Sequence, residues 1–344
     1  MNRSSLKDAR QNNCRLPDVS ELDEILALRF GRLTVGDLQS SLFGPLTDLI
    51  TRPSKKIRSR LVELGYLLAT GQKPSLRLRT ALDIVELTHA GSLVVDDIQD
   101  NSLYRRGQPC LHVKYGTPVA LNAGNWLYFW SLWLTRELSL PQSTEFMLLR
   151  LFHQNFMIAH CGQAIDIGVD ITKVPKHKVR DLCVTSLELK TGVLFSHSLV
   201  FGAILGGADS SLQRSLDEFG RGLGIGLQMF NDLGNLRGLA EANKRFEDLI
   251  NRRPSWVWAH AAGEYSTTCY QNFCRAVELL PDEKELVSWF LENNFFDDAH
   301  KTAHEHLERV YNKFEFSLGT KRSEKEPILR ELRELGDRII GAYG

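Results

Sequence analysis

Apolar residues recur at intervals of three and four over residues 21–50, 56–70, 76–100, 119–138, 143–168, 176–206 and 211–240, the period of helices that bury one face. Alternating runs that would mark strands are nearly absent. The breaks fall at Pro53, Pro74, Pro109, Pro118, Pro141, Pro175 and the pair Gly206-Gly207, where the helical hydrogen-bond ladder is interrupted. Connections this short predict antiparallel neighbours. No repeat and no shift of composition marks a linker. The pattern therefore predicts a polar lead-in over residues 1–20 and, over 21–344, one all-α domain built as an antiparallel helical bundle. Beyond about residue 265 the period stays helical and ends in RSEKEPILRELRELGDR, which predicts an outer or dimer-facing helix with one solvated side.

Composition narrows the function without naming it. A hydrophobic share of 43% in 344 residues is ample for a core. Lys plus Arg and Asp plus Glu number 42 each, so nothing in the balance suggests a nucleic-acid partner or an acidic tail. The six cysteines form no CxxC pair and no zinc-type spacing, which predicts free thiols in a reducing compartment. The N-terminal stretch MNRSSLKDARQNN is polar, and no uninterrupted apolar run reaches the roughly 18 residues of a membrane span. A cytoplasmic protein without a transmembrane segment is expected.

Candidate chemistry begins at the end of ALDIVELTHAGSLVVDDIQD. Asp96 and Asp100 lie one helical turn apart and share a face, with Asp97 to one side. Hard oxygen ligands spaced in this way suit Mg²⁺ that takes its remaining ligands from phosphate. The apolar run before them should be buried, so these carboxylates need cations or water-filled space around them. Arg105 and Arg106 follow, and paired guanidiniums grip phosphate oxygens bidentately. Acid for metal and base for phosphate within ten residues outline a diphosphate site.

The block HAGSLVVDDIQDNSLYRRGQPCLHVKYGTPVALNAGNWLYF resembles the trans-polyprenyl diphosphate synthase family, which includes farnesyl and geranylgeranyl diphosphate synthases and shares its fold with class I terpene cyclases. The resemblance runs over roughly residues 40–260 and implies the isoprenoid synthase bundle with a central apolar cavity, prenyl diphosphate substrates, three Mg²⁺ ions and a homodimer. By the same resemblance, Lys55, Arg58, His89 and Arg106 would hold the diphosphate of isopentenyl diphosphate. Arg105, Lys190 and Thr191 would contact the allylic diphosphate, Gln163 and Asp166 belong to the matching GQAIDI, and Lys244 and Arg253 stand near the family's later diphosphate-binding lysines. The family's double glycine ahead of the lysine is Pro53-Ser54 here.

The second aspartate-rich motif departs from the family. Gln228 is in place, but Asn231-Asp232-x-x-Asn235 stands where Asp-Asp-x-x-Asp is expected. Asn231 and Asn235 share a face and can ligate a hard cation through amide oxygens. What is lost is charge, worth on the order of 8 kcal/mol at about 4 Å from a divalent ion and an effective dielectric near 20, before desolvation offsets most of it. An Asn-Asp pair at this place is similar to the second motif of class I terpene cyclases.

Three readings follow. One is elongation of an allylic diphosphate by isopentenyl diphosphate, to a product of about twenty carbons or longer. The others are cyclisation of a ready-made diphosphate and a non-catalytic regulatory subunit. The residues one turn before Asp96, Gly91 and Ser92, are small and are expected to form an open pocket floor. Trp126, Phe129, Trp130 and Trp133, at helical spacing, are expected in the core.

Overall fold

The computed structural model describes residues 15–17, 38–72, 76–105, 107–237 and 245–342. Most of the predicted lead-in, the apolar stretch 21–37, Pro74, Arg106 and Lys244 lie outside the described residues. Two compact units are distinguished, Met1–Glu63 with Lys73–Phe146 and Leu64–Gln72 with Met147–Gly344.

In the first unit a π-helical turn, Gln39–Phe43, leads into α1, Gly44–Thr51, whose Pro45 occupies the first turn where a missing amide costs nothing. Then come the opening of α2, Ile57–Thr70, and the long α3, Leu76–Gln99. A two-residue hairpin pairs β1, Tyr104–Arg105, with β2, Gln108–Pro109, and Gly107 turns it at φ 75°. It is the one strand pairing among the described residues, and it falls where the pattern marked only a break at Pro109. Short α4, Leu111–Tyr115, precedes α5, Thr117–Trp133, which tightens into a 3₁₀ turn, Leu134–Leu138.

The core of this unit lies between α3 and α5, with Ala81, Ile84, Leu87 and Val94 buried on one and Ala120, Ala123, Leu127 and Trp130 on the other. Trp130 stacks on Trp126 with centroids 5.5 Å apart. Phe129 corrects the expectation of an aromatic core stripe. Its side lies away from α3 and it is 71% exposed.

The second unit takes the end of α2 and most of α6, Gln142–Gly168, then α7, Lys176–Leu187, and α8, Val193–Leu205. Where the pattern predicted one helix over 176–206, a π-helical turn, Glu188–Gly192, separates α7 from α8. Nearly every residue of α8 is buried, and α9, Ser210–Arg237, packs along it. The run Lys176–Leu205 has the length and mean hydropathy, 1.2, of a membrane span, yet 72% of that window is buried within the protein. Short α10, Glu247–Ile250, is followed by α11, Trp256–Glu264, α12, Thr267–Glu278, α13, Lys284–Glu292, α14, Phe295–Ser317, and α15, Arg322–Ile340. The charged C-terminal run is helical as expected and buries Leu329, Leu332, Leu335 and Ile339 along one stripe.

Candidate active site

The first group of site residues stands at the C-terminal end of α3. The Asp100 amide still donates to the Asp96 carbonyl, 2.9 Å away, so the two carboxylates keep the one-turn spacing of a helix. Asp97 is turned elsewhere. It is 5% exposed and accepts from Arg105 Nε at 2.5 Å, while Arg105 also approaches Asp96 at 3.7 Å. Burial works against the Arg105 charge, and the Asp97 hydrogen bond together with the Asp97 and Asp96 charges more than offsets it, so the guanidinium pKa is raised. The chain reversal after α3 makes this pairing, because Asn101 is left-handed at φ 53° and the Ser102 amide donates to the Asp97 carbonyl at 2.9 Å, which returns β1 beside the helix end. Asp97 thereby orients a guanidinium. Asp96 and Asp100 keep the partly exposed positions a metal would need.

Tyr128, from α5, was not expected at this site. Its phenol pKa is pushed up to about 12 by burial and by the Asp96 charge, which puts a neutral hydroxyl near the acidic cluster. Lys55 is exposed and Arg58 half-buried around the N-terminus of α2. His89 is half-buried on α3, with Ser92 Oγ 3.5 Å from its Nδ1.

The pocket-floor expectation needs correction at Gly91. A Cβ there would lie 2.7 Å from the Gly124 carbonyl oxygen and 3.1 Å from Leu127 Cβ. Gly91 is therefore the point where α3 crosses closely over α5. Of the expected pair, Ser92 alone is half-buried rather than closed off by that crossing.

The second group lies in the second unit around the π-turn. Gly162 of α6 lets the turn come close, since a Cβ there would meet the Lys190 amide at 2.5 Å, and Gly192 meets Gly224 of α9 as closely. Held between these helices, Lys190 Nζ donates to Asp166 at 2.7 Å, and Thr191 Oγ1 donates to Gln228 Oε1 at 3.2 Å. Short π segments of this kind often carry functional residues. Arg253 Nη1 stands 3.9 Å from the same Asp166, so Asp166, Lys190 and Arg253 are brought together.

The altered motif on α9 divides in the same way as the first. Asp232 is 3% exposed and accepts from Gln228 Nε2 at 2.7 Å and from the Trp256 amide at 2.8 Å. Its carboxylate fastens the start of α11 to α9. Asn231 and Asn235, half-buried, occupy the face left for a ligand. Sequence reasoning missed Asp248. Burial raises its carboxyl pKa, and the nearby charges of Asp232 and Asp166 raise it further while Lys190 pulls it down. Burial likewise raises that of Asp232. Acidic Glu247-Asp248 opening a short helix five residues before Arg253 was the available signal.

Among the described residues no three His, Cys, Asp or Glu side chains converge as a complete metal cage. The donor chemistry fits magnesium all the same, because that ion keeps water and phosphate oxygens and asks the protein for one or two carboxylates.

Residues 39–287 match the family model for polyprenyl synthetase. The chain belongs to the polyprenyl synthetase family. It is 32% identical over 188 residues to a geranylgeranyl diphosphate synthase of Sulfolobus acidocaldarius, covering 54% of this chain and 55% of that one. It is 33% identical over 226 residues to geranylgeranyl pyrophosphate synthase 2 of Zymoseptoria tritici, covering 64% of each. Copalyl diphosphate synthase of Talaromyces verruculosus matches at 26% identity over 87% of this chain, which is 28% of that protein. The matches thus span less than two thirds of these relatives' lengths.

The polyprenyl synthetase assignment agrees with the fold. A solved geranylgeranyl pyrophosphate synthase superposes with a TM-score of 0.74 at 18% identity, covering 99% of both chains. The Corynebacterium glutamicum geranylgeranyl pyrophosphate synthase, complexed with isoprenyl diphosphate and magnesium, does so at 0.72 and 19%, over 98% of this chain and 97% of that one. The chain has the all-α isoprenoid synthase fold of that family.

Proposed function

We propose that this protein is a magnesium-dependent trans-prenyltransferase, which condenses an allylic diphosphate with isopentenyl diphosphate to a prenyl diphosphate of about twenty carbons or longer. The observation that carries the reading is the end of α3, where Asp97 aims the Arg105 guanidinium beside Asp96 and Asp100, joining a phosphate grip to a metal-binding face. Membership of the polyprenyl synthetase family supports it.

In this reading Asp96, Asp100, Asn231 and Asn235 hold magnesium, three ions in all. Bound there, magnesium would supply Lewis-acid neutralisation of the pyrophosphate leaving group. Arg105, Lys190, Thr191, Gln228, Lys244 and Arg253 bind and orient the allylic diphosphate, so that charge growing on the leaving oxygens meets donors already in place. Lys190 is held for this by Asp166. Lys55, Arg58, His89 and Arg106 hold isopentenyl diphosphate, whose double bond attacks the allylic cation. Ser92 lines the tail pocket.

We also assign the protein to a cytoplasmic homodimer. Five free cysteines, Cys110, Cys161, Cys183, Cys269 and Cys274, support the compartment. Exposed Met147, Leu149 and Met157 on α6 support a second copy.

The test is to incubate purified protein with Mg²⁺ and farnesyl or geranylgeranyl diphosphate, with and without isopentenyl diphosphate, and to identify the products. A longer diphosphate that forms only with isopentenyl diphosphate is expected. The second reading, cyclisation of a ready-made diphosphate, is favoured by the neutral Asn231 and Asn235. A hydrocarbon or alcohol formed without isopentenyl diphosphate would establish it in place of elongation.

A further inference from the structure

The segment that carries Lys55 and Arg58 is held at both ends by one carboxylate. Glu86, on α3, is 9% exposed. Its Oε2 accepts from Ser54 Oγ at 3.1 Å, and its Oε1 accepts from Ser59 Oγ at 2.7 Å and from the Ser59 amide at 3.3 Å. Ser59 is the third residue of α2, so Glu86 caps that helix from a different element and sets a negative charge against its positive end.

Between the two anchors the backbone takes an unusual course. Lys56 has φ 48°, a left-handed conformation that a non-glycine residue adopts only when its surroundings impose it. The Ser54 hydroxyl also accepts from the Lys56 amide at 3.3 Å. Upstream, Arg52 is 6% exposed and pairs with Asp48 at 3.2 Å, which fixes the approach to the loop. Asp83, one turn before Glu86 on α3, is buried near Lys56 and Arg15. Three cations, Lys55, Lys56 and Arg58, thus stand on a segment whose two ends meet one buried carboxylate.

We propose that Glu86 is a positioning residue for the isopentenyl diphosphate subsite, clamping Ser54 and Ser59 so that Lys55 and Arg58, which lie between them, present their charges in a fixed geometry. Phosphate recognition by such groups depends on placement to within about half an ångström. Ser54, which stands where the wider family has glycine, adds an anchor that glycine could not supply. The inference rests on the elongation reading, because a cyclase would have no second diphosphate for this loop to bind.

The experiment measures, by calorimetry, binding of isopentenyl diphosphate and separately of the allylic diphosphate, in wild type, Glu86→Ala, Glu86→Gln and Ser54→Gly, with melting temperatures alongside. Glu86→Ala is expected to weaken isopentenyl diphosphate about tenfold and to leave the allylic ligand nearly unchanged. Glu86→Gln, whose amide oxygen still accepts from Ser59, should recover most of the loss. Ser54→Gly should lose about twofold. Where Glu86→Ala does not fold, Ser59→Ala takes its place in the same comparison. Unchanged isopentenyl diphosphate affinity in a folded variant overturns the clamp, as does a loss of both ligands in step with melting temperature. Wild type that binds no isopentenyl diphosphate overturns the elongation reading itself, and the inference with it.

Discussion

The two groups of site residues divide similar motifs in the same way and differ in the charge that is left over. At the end of α3 one carboxylate of the motif, Asp97, is spent on orienting Arg105, and two charged ones, Asp96 and Asp100, remain partly exposed. In the α9 motif the single carboxylate, Asp232, is buried and spent on Gln228 and the Trp256 amide, and what remains half-buried is neutral, Asn231 and Asn235. In each motif the middle aspartate is a structural group, so the working charge resides in its neighbours. In the proposed reading that charge is retained in the first motif and lost in the second, where burial and the neighbouring Asp232 and Asp166 disfavour ionisation of Asp248 as well.

The largest effect follows from removing the working charge. Asp96→Ala should lower the condensation rate on the order of a thousandfold in steady-state assays, the loss typical of a group that stabilises developing charge. Asn231→Ala should cost only about tenfold, since an amide supplies a weaker interaction than a carboxylate. Equal losses at the two positions would break the contrast between a charged and a neutral ligand face.

Removing the structural aspartate should act on stability instead. Asp232→Ala leaves the Gln228 amide and the Trp256 backbone N–H buried without an acceptor, at a cost of about 3 kcal/mol in denaturant unfolding. Asp100→Ala, at the partly exposed helix end, should stay within about 0.5 kcal/mol. A stable Asp232→Ala protein with impaired metal response would overturn the structural role and place Asp232 among the ligands.

The helix crossing gives a smaller effect, with a built-in control. Gly91→Ala should destabilise by about 2 kcal/mol, because the added methyl meets the Gly124 carbonyl, which is backbone and cannot yield. Its products should keep their length. Ser92→Phe should shorten the product, as read by chromatography of the dephosphorylated alcohols. Shortening by Gly91→Ala as well would restore both residues to the pocket floor.

Much of this was legible because it is local. The 3.6-residue period outlined the helices, and one-turn spacing paired Asp96 with Asp100 and Asn231 with Asn235. What escaped depends on contacts between distant elements. Gly91 reads as open space until α5 brings Gly124 against it, and Asp97 shows no partner until the left-handed turn at Asn101 returns Arg105. Asp248 belongs to the site only through Asp232, Asp166 and Lys190, which stand on α9, α6 and the π-turn. Phe129 kept the helical spacing of a core residue while facing away from the core, since one exposed position within an apolar helix does not disturb the period.

The smallest effect tests the neutral face directly. If Asn231 and Asn235 weaken metal binding only through lost charge, then Asn231→Asp with Asn235→Asp should lower the Mg²⁺ concentration for half-maximal activity about tenfold, the residue of a large Coulomb gain after desolvation has offset most of it. The gain should shrink as ionic strength rises, because both side chains are partly solvated and screened. An unchanged requirement in the double aspartate variant would mean that the diphosphate carries its own metal, and that the second motif serves to shape the pocket around it.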